Sequence, residues 1–217
     1  MNEKIFVFRV SKGHESGNPL GRCDIDIRDV IEQRDRITDA DLKIIDYDNN
    51  GHLQYIQDEL WSSLVLRQGW GIHGTDLRMG SVNWIKNYIL EGKIWWDAEI
   101  SCQQAKGRWN ILRRMLNIKS GDILILPKTS IDIIDDYNHF TVCQADGEYF
   151  YEYHEEIGDF SHCIKIKNLK TYPYLFEYLD RYDFSSPYLW AITEVKNHHS
   201  RFTKVTSFLE NNYLRNF

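Results

Sequence analysis

The 217-residue sequence lacks a long hydrophobic run, a cysteine framework and a signal-peptide pattern. No apolar stretch approaches the roughly 18 to 20 residues that a membrane-spanning helix needs. Its four cysteines, Cys23, Cys102, Cys143 and Cys163, are widely scattered without a Cys-x-x-Cys pair. This scatter favours free thiols in a reducing compartment over a disulfide framework. These absences together predict a soluble, cytoplasmic protein without a membrane partner.

An excess of positive charge is also missing, since 26 basic residues face 32 acidic ones and the formal net charge is −6. This balance argues against a broad, salt-driven coating of nucleic acid. Aromatic residues, in contrast, reach 14%, with seven tryptophans and thirteen tyrosines. Aromatic faces can stack on nucleic-acid bases for roughly 1 to 3 kcal/mol each, or they can simply pack in the core. Composition leaves both roles open.

The hydrophobic pattern predicts an α+β fold, with helices mainly in the first half and strands in the second. Residues 11–52 are polar and weakly patterned, so we expect loops there with one short helix. Helices are expected at 53–68, 81–92, 102–116, 174–182 and 200–213. Strands are expected at 5–10, 93–98, 123–127, 139–144, 148–153, 159–166 and 189–193.

An Asp146-Gly147 turn between two of these strands predicts a β-hairpin. Residues 119–167 would then form a small antiparallel meander. The expected architecture is a small, curved, mostly antiparallel sheet or open barrel that is flanked by helices. A helical C-terminal extension would follow it.

Several motifs within residues 4–170 resemble the PUA-like superfamily, and particularly the EVE-type reader domains of modification-dependent restriction systems. The most telling are the strand that follows Gly121-Asp122 and the strand that contains Asp159-x-x-His162. The matching segments are 66–71, 108–112, 118–128, 147–153 and 159–166. The long polar segment 11–52 departs from the family pattern.

The resemblance implies a reader domain over residues 1–172, with residues 173–217 packed on it as an extension. In such domains a small β-barrel flanked by helices holds one extruded base in an aromatic pocket. The implied function is a nucleic-acid-binding module that captures a modified base, as the sensor of a restriction or antiviral defence system. DNA is expected rather than RNA, with an RNA-binding domain of the same architecture as an alternative. No cofactor and no catalytic centre of its own are expected, and the effector would be a nuclease or NTPase on another chain.

Residues near the matching segments suggest the pocket. Trp70 would form one wall and Trp95 or Trp109 a second, while Gln68 or Asp97 would read the base edge. Cations would hold the phosphates without specifying sequence. The candidate phosphate-binding residues are Arg67, Lys106, Arg108 and Arg113. The competing interpretation places Trp70 in the core and the cations on a solvated helix face.

A second function class is a metal-dependent nuclease. Asp183, Glu194 and Lys196 resemble the acid and Glu-x-Lys elements of such enzymes, in which carboxylates gather Mg²⁺ around the attacking water. The segment 46–51 also matches the first half of a calcium loop, but Gln57 stands where a bidentate carboxylate is needed. An Asn-Gly turn is therefore expected there, and no metal.

Overall fold

The computed structural model describes residues 3–9, 20–43, 49–129, 139–175, 179–180, 191–199 and 201–216. The chain is α+β, and its strands form a mixed, mostly antiparallel, curled sheet with helices, as the sequence predicted. The helices are α1 (Arg28–Arg34), α2 (Asn49–Asp58), α3 (Ser81–Trp96), α4 (Cys102–Leu112) and α5 (Phe202–Phe208). The strands are β1 (Ile5–Phe8), β2 (Val65–Gln68), β3 (Ile123–Thr129), β4 (His139–Ala145), β5 (Phe150–Tyr151), β6 (His162–Pro173) and β7 (Ile192–Glu194).

The chain divides into two compact units. One, the sheet unit, comprises Met1–Ser11, Ile118–Glu148 and Ile164–Phe217. The other, the helical unit, comprises Lys12–Asn117 and Tyr149–Cys163. No helix among the described residues is long and apolar enough to cross a membrane.

The sheet unit is built on the strand order β6-β4-β3-β1-β7. Strand β1 runs parallel to β3, with Ile5 opposite Ile123, whereas its pairing with β7 is antiparallel. Because side chains alternate along a strand, residues two apart share one face. The buried cluster on that face includes Ile5, Val7, Ile123, Ile125, Phe140, Val142, Val205 and Phe208. The last two belong to α5, so the C-terminal helix contributes to this core.

Asp122 fixes the entry to β3. Its carboxylate accepts hydrogen bonds from the backbone N–H groups of Lys4 (2.9 Å) and Lys119 (2.8 Å). The preceding Gly121 has a φ of +93°, which a residue without a side chain adopts at no steric cost. The Gly-Asp motif therefore has a structural role, because it closes the turn before β3 and ties it to the start of β1.

The helical unit contains α1 to α4, β2, β5 and the first residues of β6. Helix α4 begins with a capping box in which Ser101 and Gln104 satisfy each other's backbone N–H groups. Helix α3 buries Trp84 and Tyr88, whose rings stack 4.5 Å apart, and Trp109 of α4 lies against Trp84 at 5.6 Å. Aromatic packing between α3 and α4 is thus the centre of this unit.

Three predictions about the elements are wrong. Gly92 does not end its helix, because α3 continues to Trp96, and the expected strand 93–98 is therefore absent. Gly92 is instead a packing position, since a Cβ there would collide with the side chain of Ile100. The expected hairpin is also replaced, because β5 pairs with β6 (Phe150 opposite Cys163) while β4 pairs with β3 and β6. The expected helix 53–68 is too long, because Val65–Gln68 form the strand β2.

The expectation of four free thiols is wrong for one pair. Cys23 and Cys102 form a disulfide, whereas Cys143 and Cys163 are free and buried. The two bonded cysteines are 79 residues apart in sequence. They meet because the segment around Cys23 lies along the first turn of α4, where the Gly21 N–H donates to the Gln103 carbonyl at 2.9 Å. The predicted helix 174–182 falls largely outside the described residues.

Candidate nucleic-acid interface

Trp70 lies half-buried in a tight turn after β2, within the helical unit. Its φ is +64°, in the left-handed region that costs a bulky residue about 1 to 2 kcal/mol. The turn packs tightly, since a Cβ on Gly71 would lie 2.6 Å from the Ser161 nitrogen and one on Gly69 would lie 3.2 Å from the Phe160 ring. The surrounding structure thus enforces a strained backbone on Trp70, which is a pattern that clusters at functional sites.

Asp159 joins this turn to a second strained turn. Its Oδ1 accepts hydrogen bonds from the backbone N–H groups of Gly71 (2.9 Å) and Phe160 (2.6 Å). Phe160 itself has a φ of +61°. One carboxylate oxygen therefore holds two turns, each with an aromatic residue in the left-handed conformation.

The other oxygen of Asp159 is available. Oδ2 accepts no hydrogen bond from any residue that the structure describes, and it lies 3.6 Å from the position of a Cβ on Gly69. Burial raises the pKa of Asp159 to about 6, although the two backbone N–H groups and the nearby His52 and Arg108 favour its charged form. The carboxylate is therefore mostly ionised at neutral pH, and among the described residues its Oδ2 has no hydrogen-bond donor.

A buried relay fixes the carbonyl group of Trp70. His162 Nε2 donates to this carbonyl at 3.3 Å, and Tyr149 Oη lies 2.9 Å from His162 Nδ1. The backbone N–H of Leu77 donates in turn to Tyr149 Oη at 3.2 Å. Burial lowers the pKa of His162 to about 4, so the ring stays neutral, with its proton on Nε2. The three hydrogen bonds therefore all point the same way, from the Leu77 N–H through Tyr149 and His162 to the carbonyl of Trp70.

Arg108 of α4 covers the indole of Trp70. Its guanidinium carbon is 5.3 Å from the centre of the Trp70 ring and 5.4 Å from that of Tyr88. Nη1 also donates to Tyr88 Oη, which fixes the direction of the guanidinium. Cation–π contacts of this kind contribute about 0.5 to 2 kcal/mol. Trp70 is therefore the outer member of a stack that continues through Arg108 and Tyr88 to the buried Trp84.

Gln68 ends β2 immediately before this turn. It is only 8% exposed, and its Oε1 has no hydrogen-bond partner among the described residues. A buried, unsatisfied amide oxygen costs about 1 to 3 kcal/mol, and such atoms in native proteins call for an explanation. A donor supplied by a ligand would provide one.

The other predicted base-binding residues belong to α3, its C-cap and α4, not to this turn. Trp109 is 7% exposed and packs in the aromatic core against Trp84. Trp95 is 4% exposed, and its Nε1 donates to Glu91 at 2.9 Å. Asp97 ends α3 in the left-handed conformation and forms an ion pair with Lys93. Of the predicted base-binding residues, the turn therefore contains only Trp70 and the adjacent Gln68.

The predicted phosphate-binding residues also differ in their surroundings. Arg67 is 2% exposed and forms ion pairs with Glu59 (2.7 Å) and Glu152 (2.5 Å), so its charge is already compensated. Lys106 is half-buried on α4, and Arg113 is exposed directly after that helix. Arg108, in contact with Trp70, is therefore the cation that the structure brings to the turn.

Sequence reasoning missed the roles of Tyr88, Tyr149 and Asp159. Asp159 and His162 were recognised as a motif, but nothing in their spacing indicated that both bind the turn of Trp70. The spacing of Trp84 and Tyr88 four residues apart, which stacks two rings on one helix face, was the available indication for Tyr88.

The metal-dependent alternatives cannot be assembled from the described residues. Glu194 ends β7 and is half-buried, and Lys196 is exposed, whereas Asp183 lies outside the described residues. The first three residues of the suspected calcium loop, 46–48, also lie outside them. Within the described ranges, no group of three or more His, Cys, Asp or Glu side chains could hold a metal ion.

No protein-family model, curated protein or solved structure matches this chain. Of the architecture expected from the sequence, the structure shows a curled mixed sheet with helices, and no more of the family resemblance than that. Because one fold can support many functions, the function has to be argued from the site.

Proposed function

We propose that this chain is a PUA-like reader module that captures an extruded base of DNA on the ring of Trp70. The observation that carries the proposal is the half-buried indole, held in a strained turn between two glycines and covered by Arg108. A tryptophan that served only the core would have no need of a left-handed backbone or of a cation over its face. Rigid presentation of a π-face is what base capture requires.

The energetics of base capture match the groups in this turn. Extrusion of a base costs a few kcal/mol of lost stacking and pairing. Stacking on Trp70 returns roughly 1 to 3 kcal/mol, and a base donor to Gln68 Oε1 would relieve an unsatisfied buried acceptor. Arg108 adds a positive charge beside the ring. Stacking, edge contact and charge are thus gathered within one short segment of the helical unit.

The charge distribution supports selective rather than general binding. The chain is acidic overall, yet α4 and the residue after it carry Lys106, Arg108 and Arg113. A local basic surface can hold a phosphate while the surrounding negative charge limits nonspecific association. We infer that the module is the sensor of a restriction or antiviral defence system, with a nuclease or NTPase effector on another chain.

The test is binding of short fluorescent duplexes with one central cytosine, 5-methylcytosine, 5-hydroxymethylcytosine or N6-methyladenine, at a fixed salt concentration. Wild-type protein should prefer at least one modified duplex. Trp70→Leu should reduce that binding about tenfold or more, because it keeps bulk but removes the π-face, whereas Trp70→Phe should retain most of it. Thermal unfolding of each variant shows that the fold is intact.

Trp61→Leu is the matched control, because Trp61 is another half-buried tryptophan of the helical unit. It should bind like the wild type. Equal binding by Trp70→Leu and Trp61→Leu would disprove base capture at Trp70. Preference for unpaired RNA over every duplex would replace DNA by RNA as the ligand.

A further inference from the structure

Beyond capture itself, we propose that Asp159 selects the captured base and prefers bases that carry an exocyclic amino group. This inference rests on the proposed function. It names the substrate class as amino-bearing bases, such as cytosine and adenine and their modified forms, in preference to thymine and uracil.

The position of the carboxylate is the first support. Oδ1 lies 2.9 Å from the nitrogen of Gly71, the residue directly after Trp70, so the carboxyl group borders the indole-bearing turn. Oδ1 is already used by two backbone N–H groups, which hold the carboxyl plane in place. Oδ2 has no hydrogen-bond partner among the described residues and lies beside the backbone of Gly69, 3.6 Å from the position that a Cβ would take there.

The chemistry of the acceptors is the second support. An ionised carboxylate can only accept hydrogen bonds, and Gln68 Oε1 is a second unused acceptor one residue before Gly69. Both acceptors favour an amino group, which donates, and disfavour a ring carbonyl, whose oxygen would meet them lone pair to lone pair. A charge-assisted hydrogen bond to Asp159 is about twice as strong as a neutral one.

The immediate surroundings support an ionised Asp159 under ordinary assay conditions. Burial raises the pKa of Asp159 to about 6, against its two backbone hydrogen bonds and the charges of His52 and Arg108, which favour the carboxylate, so the group is still mainly ionised at pH 7.5. At pH 7.5 the group that meets the base is then an acceptor. The choice between amino and keto bases follows from that protonation state.

The cleanest probe is 5-methylcytosine against thymine. The two bases share the 5-methyl group and the ring shape, and they differ in the amino or keto group at position 4 with the matching change at N3. Each is placed opposite an abasic site in the same duplex, so that no base pair has to be broken in either case. Wild-type protein at pH 7.5 should bind the 5-methylcytosine duplex about tenfold more tightly, within the range for discrimination by one good base-edge contact.

Asp159→Asn is the decisive variant. Its amide oxygen can keep accepting from Gly71 and Phe160, so the two turns stay joined, while its NH₂ group replaces Oδ2 as a donor. The preference should therefore vanish or reverse towards thymine. Asp41→Asn is the matched control, because Asp41 also accepts a backbone N–H, that of Thr38 at 2.9 Å, in the same unit. It should keep the wild-type preference.

The outcomes separate the inference from the proposed function. If wild-type protein binds both duplexes equally and loses both with Trp70→Leu, base capture stands and selection by Asp159 is refuted. If Asp159→Asn keeps the full preference for 5-methylcytosine, selection by Asp159 is likewise refuted. If wild-type protein binds neither duplex, nor any oligonucleotide of the earlier series, the proposed function itself fails.

Discussion

The sheet unit and the helical unit both have apolar cores, but they differ in the polar groups that they bury. In the sheet unit the central strands bury an almost wholly apolar cluster around Phe140, whose ring packs 5.5 Å from Tyr172 and 5.3 Å from Phe208. The helical unit buries a charged guanidinium at Arg67 and an unsatisfied amide oxygen at Gln68. Apolar burial stabilises a fold, whereas buried polar groups cost stability unless they are satisfied.

The backbone shows the same difference. Five described residues other than glycine have a positive φ, and four of them lie in the helical unit: Leu64, Trp70, Asp97 and Phe160. The fifth, Asn168 of the sheet unit, is a residue type that tolerates this conformation. The comparison teaches that backbone strain among the described residues is concentrated in the helical unit, where the strained Trp70 lies next to the unsatisfied amide oxygen of Gln68.

The largest expected effect tests the apolar half of this comparison. Phe140→Ala should lower the free energy of unfolding by about 3 to 5 kcal/mol, because it leaves a cavity among fully buried rings. Urea unfolding followed by tryptophan fluorescence measures it, with Phe140→Leu as a milder control. A loss below about 1 kcal/mol would show that this cluster is not the main source of stability.

The next effect tests the buried charge of the helical unit. Arg67→Met should destabilise the protein by about 3 kcal/mol, because it leaves the carboxylates of Glu59 and Glu152 without their partner. Glu152 is about half exposed, so water screens part of this loss. Adding Glu59→Gln and Glu152→Gln should recover stability in the triple variant. A triple variant no more stable than Arg67→Met would mean that Arg67 acts through packing instead of charge.

An expected effect of similar size is the contribution of Asp159 to the pH dependence of the free energy of unfolding. Its pKa is about 6 in the folded chain against an ordinary 3.8, so the folded state favours the protonated form. The resulting stability is complete below about pH 4 and is lost as the pH rises through 6, amounting to about 3 kcal/mol. His162, whose pKa is lowered to about 4, gives the opposite slope, with stability lost as the pH falls from 6.5 towards 4.

The contributions of Asp159 and His162 to the pH dependence can be separated by comparing wild type with a variant that lacks only the Asp159 carboxyl group. The difference in melting temperature between wild type and Asp159→Asn, recorded from pH 4 to 7.5, cancels the contribution of His162. Relative to the variant, wild type should lose stability across this range. A flat difference would show that the carboxyl group of Asp159 titrates normally and is better solvated than its contacts indicate.

Much of the fold follows from local pattern, whereas most of the site does not. The apolar runs of β1 and β3, and the segment of β4 before an Asp-Gly turn, predicted strands that the structure confirms, because such patterns are local properties of the sequence. The prediction that Gly92 ends its helix was wrong, because this glycine is needed where the side chain of Ile100, which follows the helix, packs against it. The disulfide was missed for the same reason, as its two cysteines meet only through tertiary contact.

The candidate site depends even more on tertiary contacts that the sequence does not reveal. Trp70 and Arg108 were identified from residue type, and the structure places them in contact. The residues that hold Trp70 in place, Asp159 and His162, act across about 90 residues of sequence through backbone atoms. Almost every residue type can provide the backbone N–H or carbonyl of such a hydrogen bond. The sequence therefore does not indicate which backbone groups Asp159 and His162 bind. For that reason the turn at Trp70 could be suspected from the sequence but not constructed.

The smallest expected effect separates strain that serves a site from strain that does not. Leu64 and Trp70 have similar positive φ values, 54° and 64°, but Leu64 is 40% exposed and follows the helical segment Glu59–Ser63 as its C-cap. Glycine is the residue that such a cap favours, so Leu64→Gly should stabilise the protein by about 0.5 to 1 kcal/mol. It should leave oligonucleotide binding unchanged.

Trp70→Gly relieves the same kind of strain but removes the indole, so the stability of this variant should change little while binding is lost. The measurement is a pair of urea unfolding curves beside a pair of binding isotherms. If both variants gain stability and both keep binding, the strain at Trp70 has no functional purpose, and the contrast between the two units reduces to packing alone.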